Sequence, residues 1–234
     1  MIDVIAFDAD DTLWHNETLY KRTQEQFSQL LAPYQPEGQT GQSLYRIEMR
    51  NLPLYGYGIK SFALSMIETA IRVSGGRVQA GEIQQIIDLA KGMLEAPVEL
   101  LDHVAEVIPV LSEECRLMLL TKGDLRDQET KLEGSGLAPF FAHVEIVRDK
   151  TVGVYRAVLD KHQIAPQRFL MVGNSLRSDV LPVVALGGHA VHIPYHITWE
   201  HETVPLAEAA AAGYAELAHI GLLPLFVEGL CRQG

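Results

Sequence analysis

Two carboxylates, Asp8 and Asp10, close the apolar run Ile2-Asp3-Val4-Ile5-Ala6-Phe7, and they are the first residues of this chain whose types and spacing could do chemistry. On an extended chain, residues two apart point the same way. Two carboxylates on one side repel each other unless a cation sits between them. A hard divalent ion that takes oxygen ligands, such as Mg²⁺, meets that need and leaves one carboxylate free to react. An Asp-rich turn that merely caps a following helix has the same local pattern, so the rest of the chain must discriminate.

The apolar run itself reads as a buried strand that delivers acids to its C-terminal end, the edge at which open parallel sheets bind ligands. After Thr12 the pattern turns helical. Residues 17–32 place Leu19, Tyr20, Thr23, Phe27, Leu30 and Leu31 at helical spacing before Pro33 and Pro36, and Leu44, Ile47 and Leu52 mark a weaker second helix. Two more helices span 58–73, stopped by Gly75-Gly76, and 80–94. Pro97 is read as a hinge. From about Leu100 helix and strand alternate: a helix over 101–112, a strand over 116–121, a helix capped by Asp124, a strand over 143–147, a helix over 151–162 and a strand over 169–172. Asp179 is expected to N-cap a helix that carries Pro182 and ends at Gly187-Gly188, followed by a last strand over 189–193 and a helix-forming run at 207–212. Such alternation predicts an α/β fold, a parallel sheet wrapped by helices. Residues 1–14 and 97–234 then form the core, and 15–96 an all-helical insertion that reads as a lid.

Polar groups follow each strand of the core. They are Asp8 and Asp10 after the first, Thr121, Lys122, Gly123 and Asp124 after the second, Lys150 after the third, and Gly173, Asn174, Ser175 and Asp179 after the fourth. Together they make one chemical set: a nucleophilic carboxylate, a hydroxyl and N–H donors, an ammonium, and oxygen ligands for a metal. Stabilising a transferring phosphoryl group takes these parts. Lys150 is preferred to Lys122 as the ammonium because it stands ahead of a helix N-terminus, which also attracts anions.

The ordered set Asp8-Ala9-Asp10-Asp11-Thr12, Leu119-Leu120-Thr121-Lys122-Gly123, Lys150 and Val172-Gly173-Asn174-Ser175-Leu176-Arg177-Ser178-Asp179 resembles the four motifs of the haloacid dehalogenase-like hydrolase superfamily. The resemblance implies a Rossmann-like core with a helical cap inserted after the first motif. By the same resemblance Asp8 would form an aspartyl-phosphate, and Asp10 would act as general acid and then base while lending its backbone carbonyl to Mg²⁺. Thr121 and the Lys122 N–H would hold the phosphoryl oxygens, and Lys150 would neutralise them and steady Asp8. Members that cleave carbon–halogen bonds lack the second acid, so Asp10 points to a Mg²⁺-dependent phosphatase acting on a small phosphorylated metabolite. One residue departs from the motifs: Asn174 stands where an aspartate is usual. Its amide oxygen can still ligate Mg²⁺, with Asp8, Asp10 and Asp179 as the other candidate ligands.

Rival readings are a phosphomutase, a phospho-acceptor signalling module and a non-catalytic binding protein. Gly56-Tyr57-Gly58 with Tyr55 and Lys60 forms a glycine-flexible helix entrance that either reads the leaving group or is a plain exposed turn, and Trp14 and His15 beside the hinge are placed likewise. His189, His192, His196 and His201 lack a ligand spacing and read as strand and loop histidines. A net charge of −11 argues against unspecific binding to nucleic acid or anionic membranes, which takes basic surface. Two cysteines, Cys115 and Cys231, in no CxxC pair fit a reducing compartment, and no apolar run approaches the roughly 20 residues of a membrane span. With no basic, apolar leader, a cytoplasmic protein is expected.

Overall fold

The computed structural model describes residues 2–36, 38–205, 209 and 213–233. In chain order these form β1 (Val4–Phe7), α1 (Glu17–Leu31), α2 (Gln39–Tyr55), α3 (Ile59–Val73), α4 (Ala80–Leu94), α5 (Val104–Glu114), β2 (Arg116–Lys122), α6 (Leu125–Ser135), β3 (Phe141–Val147), α7 (Val152–Lys161), β4 (Phe169–Gly173), α8 (Leu181–Val184), β5 (His189–His192), β6 (Ala215–Glu216) and α9 (Leu223–Gln233). The chain divides into two compact units. One comprises Met1–Glu17, Val98–Lys122 and Gln128–Gly234; the other comprises Thr18–Pro97 and Gly123–Asp127.

The first unit is built on a six-stranded parallel sheet in the order β3-β2-β1-β4-β5-β6, the α/β Rossmann-like arrangement. Period-two alternation sends Ile5, Phe7, Leu117 and Leu119 to one face and Val4, Ala6, Met118 and Leu120 to the other. Helix α5 supplies Val104, Val107, Ile108 and Leu111 to the first face, and α7 supplies Tyr155, Val158 and Leu159 to the second. With both faces covered, the strands are apolar throughout. The register sets Phe7 between Leu119 and Val172, so the residues after β1 emerge between the ends of β2 and β4.

The second unit has its own core, with Phe27 and Leu31 of α1 meeting Leu44, Phe62, Met66, Ile86 and Met93. Helix α4 opens on reciprocal bonds between Gln79 and Glu82, an N-terminal capping box. Lys60 is spent within this unit, its Nζ 2.9 Å and 3.0 Å from the two carboxylate oxygens of Asp124. Tyr57 is half-buried in the turn before α3. No helix among the described residues is long and apolar enough to cross a membrane.

The sequence reading misplaces three features. Helix α5 starts at Val104 rather than Leu101, because the Leu101 N–H is bonded to the Leu13 carbonyl and His103 adopts a left-handed φ of 69°. Asp179 caps no helix; Ser175 does, accepting from the Ser178 N–H, and a single π-helical turn over Leu176–Val180 precedes α8. The strand over 189–192 is not the last, since two-residue β6 pairs with it and α9 follows. Most of the run expected over 207–212 lies outside the described residues.

Candidate active site

Asp8 stands one residue beyond β1, its N–H bonded to the Val172 carbonyl at 2.9 Å. Lys150, 3% exposed, comes from the β3–α7 connection, where the Thr151 hydroxyl caps α7. Its ammonium lies 2.5 Å from Asp8 Oδ1 and 2.7 Å from Asp179 Oδ1, so one cation joins two carboxylates delivered by different strands. The second Asp179 oxygen accepts from the Ser175 N–H at 3.0 Å. Burial works against the Lys150 ammonium, but Asp179 and Asp8 outweigh it and raise its pKa. Burial also pushes the Asp8 carboxyl up to about 7, against the pull of Lys150.

The turn after β4 is shaped for this contact. A Cβ on Gly173 would lie 2.2–2.5 Å from the Asp179 side chain, so only glycine lets that carboxylate fold back under the strand end. The π-helical turn aims Asp179 inward, and its Ser178 carbonyl accepts from the buried Tyr155 hydroxyl at 3.0 Å.

Asp10 is held by three donors: the Trp14 indole N–H at 2.7 Å, Gln128 Nε2 at 2.8 Å and Lys131 Nζ at 3.1 Å. A carboxylate, which only accepts, takes all three without conflict. Trp14 is 1% exposed, so its side chain addresses Asp10 rather than solvent. Gln128 also accepts from the Thr121 hydroxyl at 3.4 Å, which links the ends of β1 and β2. Asp11 takes the left-handed φ of 62° and receives the Asn16 and Glu17 N–H groups at 2.9 Å and 3.0 Å, turning the chain toward α1.

Sequence reading missed Gln128, Lys131 and Glu202. The first two lie three apart on one face of α6, a spacing visible in sequence. Glu202 has no such signal. It sits in a short 3₁₀ turn (Glu200–Glu202), pairs with the Lys122 ammonium, and accepts from the hydroxyls of Ser175 and, at 2.7 Å, Ser178. Burial opposes its charge, yet Lys122 and the serines hold its carboxyl down to about 2.

Among the described residues no three His, Cys, Asp or Glu side chains gather as a metal site. The oxygen donors here are of other kinds as well. Asp8 Oδ2 and Asn174 Oδ1 both lie within 3.5 Å of the Thr12 hydroxyl, and the Asp10 backbone carbonyl is close in sequence. A buried carboxylate with a raised pKa beside an amide oxygen fits a hard, oxygen-seeking cation. Asp179 fits less well as a ligand, because both its oxygens already take donors. Of the histidines in the stretch 189–201, His192 bridges Glu216 and the Asn174 carbonyl at 2.9 Å and 3.1 Å.

A solved haloacid dehalogenase-like family hydrolase from Xanthomonas campestris is 37% identical to the chain, with a TM-score of 0.88 over 99% of this chain and 93% of that one. A magnesium-bound HAD-hydrolase from Bacillus subtilis (15% identity, TM-score 0.69, 97% and 99% covered) and an L-2-haloacid dehalogenase from Xanthobacter autotrophicus (17%, 0.63, 98% and 99%) share the fold. No curated protein matches the chain. The family model for haloacid dehalogenase-like hydrolases matches residues 2–187, the span that carries the Asp8–Lys150–Asp179 cluster, and the chain belongs to that family.

Proposed function

We propose that this hydrolase is a Mg²⁺-dependent phosphatase that cleaves a small phosphorylated metabolite through an aspartyl-phosphate on Asp8. The observation that carries the reading is Asp10, a second carboxyl two residues beyond Asp8; its oxygens take donors from Trp14, Gln128 and Lys131, and to act as the acid it must release one of them and carry a proton instead. Breaking a phosphoester needs a proton for the departing alkoxide and a base for the attacking water, and Asp10 can serve both in turn.

In this mechanism an Asp8 carboxylate oxygen attacks phosphorus, the bond from phosphorus to the ester oxygen breaks, and Asp10 gives its proton to that oxygen. Water then attacks the aspartyl-phosphate, Asp10 takes a proton from it, and phosphate departs as the Asp8 carboxylate is restored. Lys150 neutralises the phosphoryl oxygens and keeps Asp8 oriented, while Asp179 fixes Lys150 from behind. Thr121 and the Lys122 backbone N–H hold the phosphoryl group. Asp8, Asn174 and the Asp10 carbonyl would hold Mg²⁺, which supplies charge neutralisation at the phosphoryl oxygens when bound.

The test is release of inorganic phosphate across a panel of metabolite phosphoesters, with magnesium and with a chelator, for the wild type and Asp8→Asn. Release that needs both magnesium and Asp8 is expected. Turnover of 2-haloacids without phosphate release from any ester would overturn the reading.

A further inference from the structure

Besides Lys150 and Lys131, another cation stands at the same rim and is held in check. Lys122 closes β2 one residue after Thr121, and its ammonium is paired with Glu202 and donates to the Ser178 hydroxyl at 2.9 Å, with the two charged side chains 16% and 11% exposed. Glu202 reaches this place from a segment 80 residues further on, and a separate bond from Arg177 to the His201 carbonyl at 2.9 Å fastens the same segment. From Glu202 the bonds run through Ser175 to Asp179, then Lys150 and Asp8.

We propose that Glu202 is a positioning residue that withholds the Lys122 ammonium from the phosphate site, leaving the Lys122 main chain to address the anion and Lys150 as the one ammonium that neutralises it. The proposal rests on the reading of this rim as a phosphoryl site. A flexible lysine stem at a strand end can swing to a nearby anion, and an unpaired ammonium there would bind ground state, intermediate and product alike. Such uniform binding does not speed the chemical step, and it slows departure of the phosphate product. Glu202 therefore acts on product release.

The experiment titrates inorganic phosphate by calorimetry, in buffer with magnesium chloride, into the wild type, Glu202→Gln, and the double variant Lys122→Met with Glu202→Gln. Glu202→Gln is expected to bind phosphate roughly ten-fold more tightly, equivalent to about 1.4 kcal/mol. In the same variant kcat falls, and product inhibition by phosphate strengthens. The double variant loses both charges together, a change buried ion pairs tolerate, and should bind phosphate as the wild type does. Phosphate binding by Glu202→Gln that is unchanged or weaker overturns the proposal. Should that variant fail to fold, a double variant with clearly weakened phosphate binding overturns it equally, because the ammonium would then have been serving the anion all along. A wild type that binds no phosphate refutes the phosphoryl-site reading itself, and the proposal falls with it.

Discussion

At the scale of single residues, the short distances around Lys150 decide what the site can do. An ammonium 2.5 Å from Asp8 and 2.7 Å from Asp179 fixes the Asp8 carboxylate, and on the proposed function it would aim the nucleophile and supply positive charge where phosphoryl oxygens lie. On the proposed mechanism Asp10 carries the proton traffic, so Asp10→Asn should lower kcat for phosphoester hydrolysis about 10²- to 10⁴-fold, as measured by phosphate release. Lys131 touches that carboxylate at 3.1 Å, and its replacement by Met should lower kcat roughly ten-fold with KM little changed, since it fixes orientation rather than binding substrate. Asp8, Lys150 and Asp179 were legible in the sequence because each follows a recognisable strand, and strand ends on one edge of a parallel sheet must meet. Lys131, Gln128 and Glu202 were not, because their roles depend on how a helix face and a distant turn pack against that edge.

The turns at element ends hold these groups in place, and they respond to change differently from the groups themselves. Gly173 ends β4 with no room for a Cβ against Asp179. Gly173→Ala should push that carboxylate off Lys150 and weaken phosphate binding while far-UV circular dichroism stays close to wild type. Element existence was readable from apolar periodicity almost throughout, α4 over 80–94 included. The π-helical turn was not, because a strand followed by Asn, Ser and a Pro-containing helix gives no sign of a wider turn that faces Asp179 inward. Two-residue β6 is likewise too short to show a period. In α2, burial alone pushes the Glu48 carboxyl up to about 7. Below its unfolded pKa the group is neutral in both states. As pH rises from about 4.5 to 7 the unfolded chain sheds a proton that the folded chain keeps, so stability falls across that window and stays lower above it. Glu48→Gln should remove this slope, and thermal melts at pH 5 and pH 8 should then differ less than in the wild type.

For the molecule as a whole, the controlling fact is that two units bury two separate sets of side chains. Phe27, at 0% exposure, packs with Leu31, Phe62 and Met66 in the helical unit, whereas the sheet unit closes around Phe7, Leu119, Val172 and their neighbours. Interior packing leaves little slack, and a truncated aromatic side chain leaves a cavity that its surroundings refill only in part. Phe27→Ala should therefore cost about 3–5 kcal/mol, with the loss concentrated in the unit that holds the cavity. Native-state hydrogen exchange checks this. Amides of α1, α3 and α4 should exchange much faster in the variant, while those of β1, β2 and β4 keep their protection and inorganic phosphate still binds. Equal loss of protection in both sets of amides would mean that the two cores melt as one cooperative body, and that the sheet carrying Asp8, Lys150 and Asp179 depends on the inserted helices for its own stability.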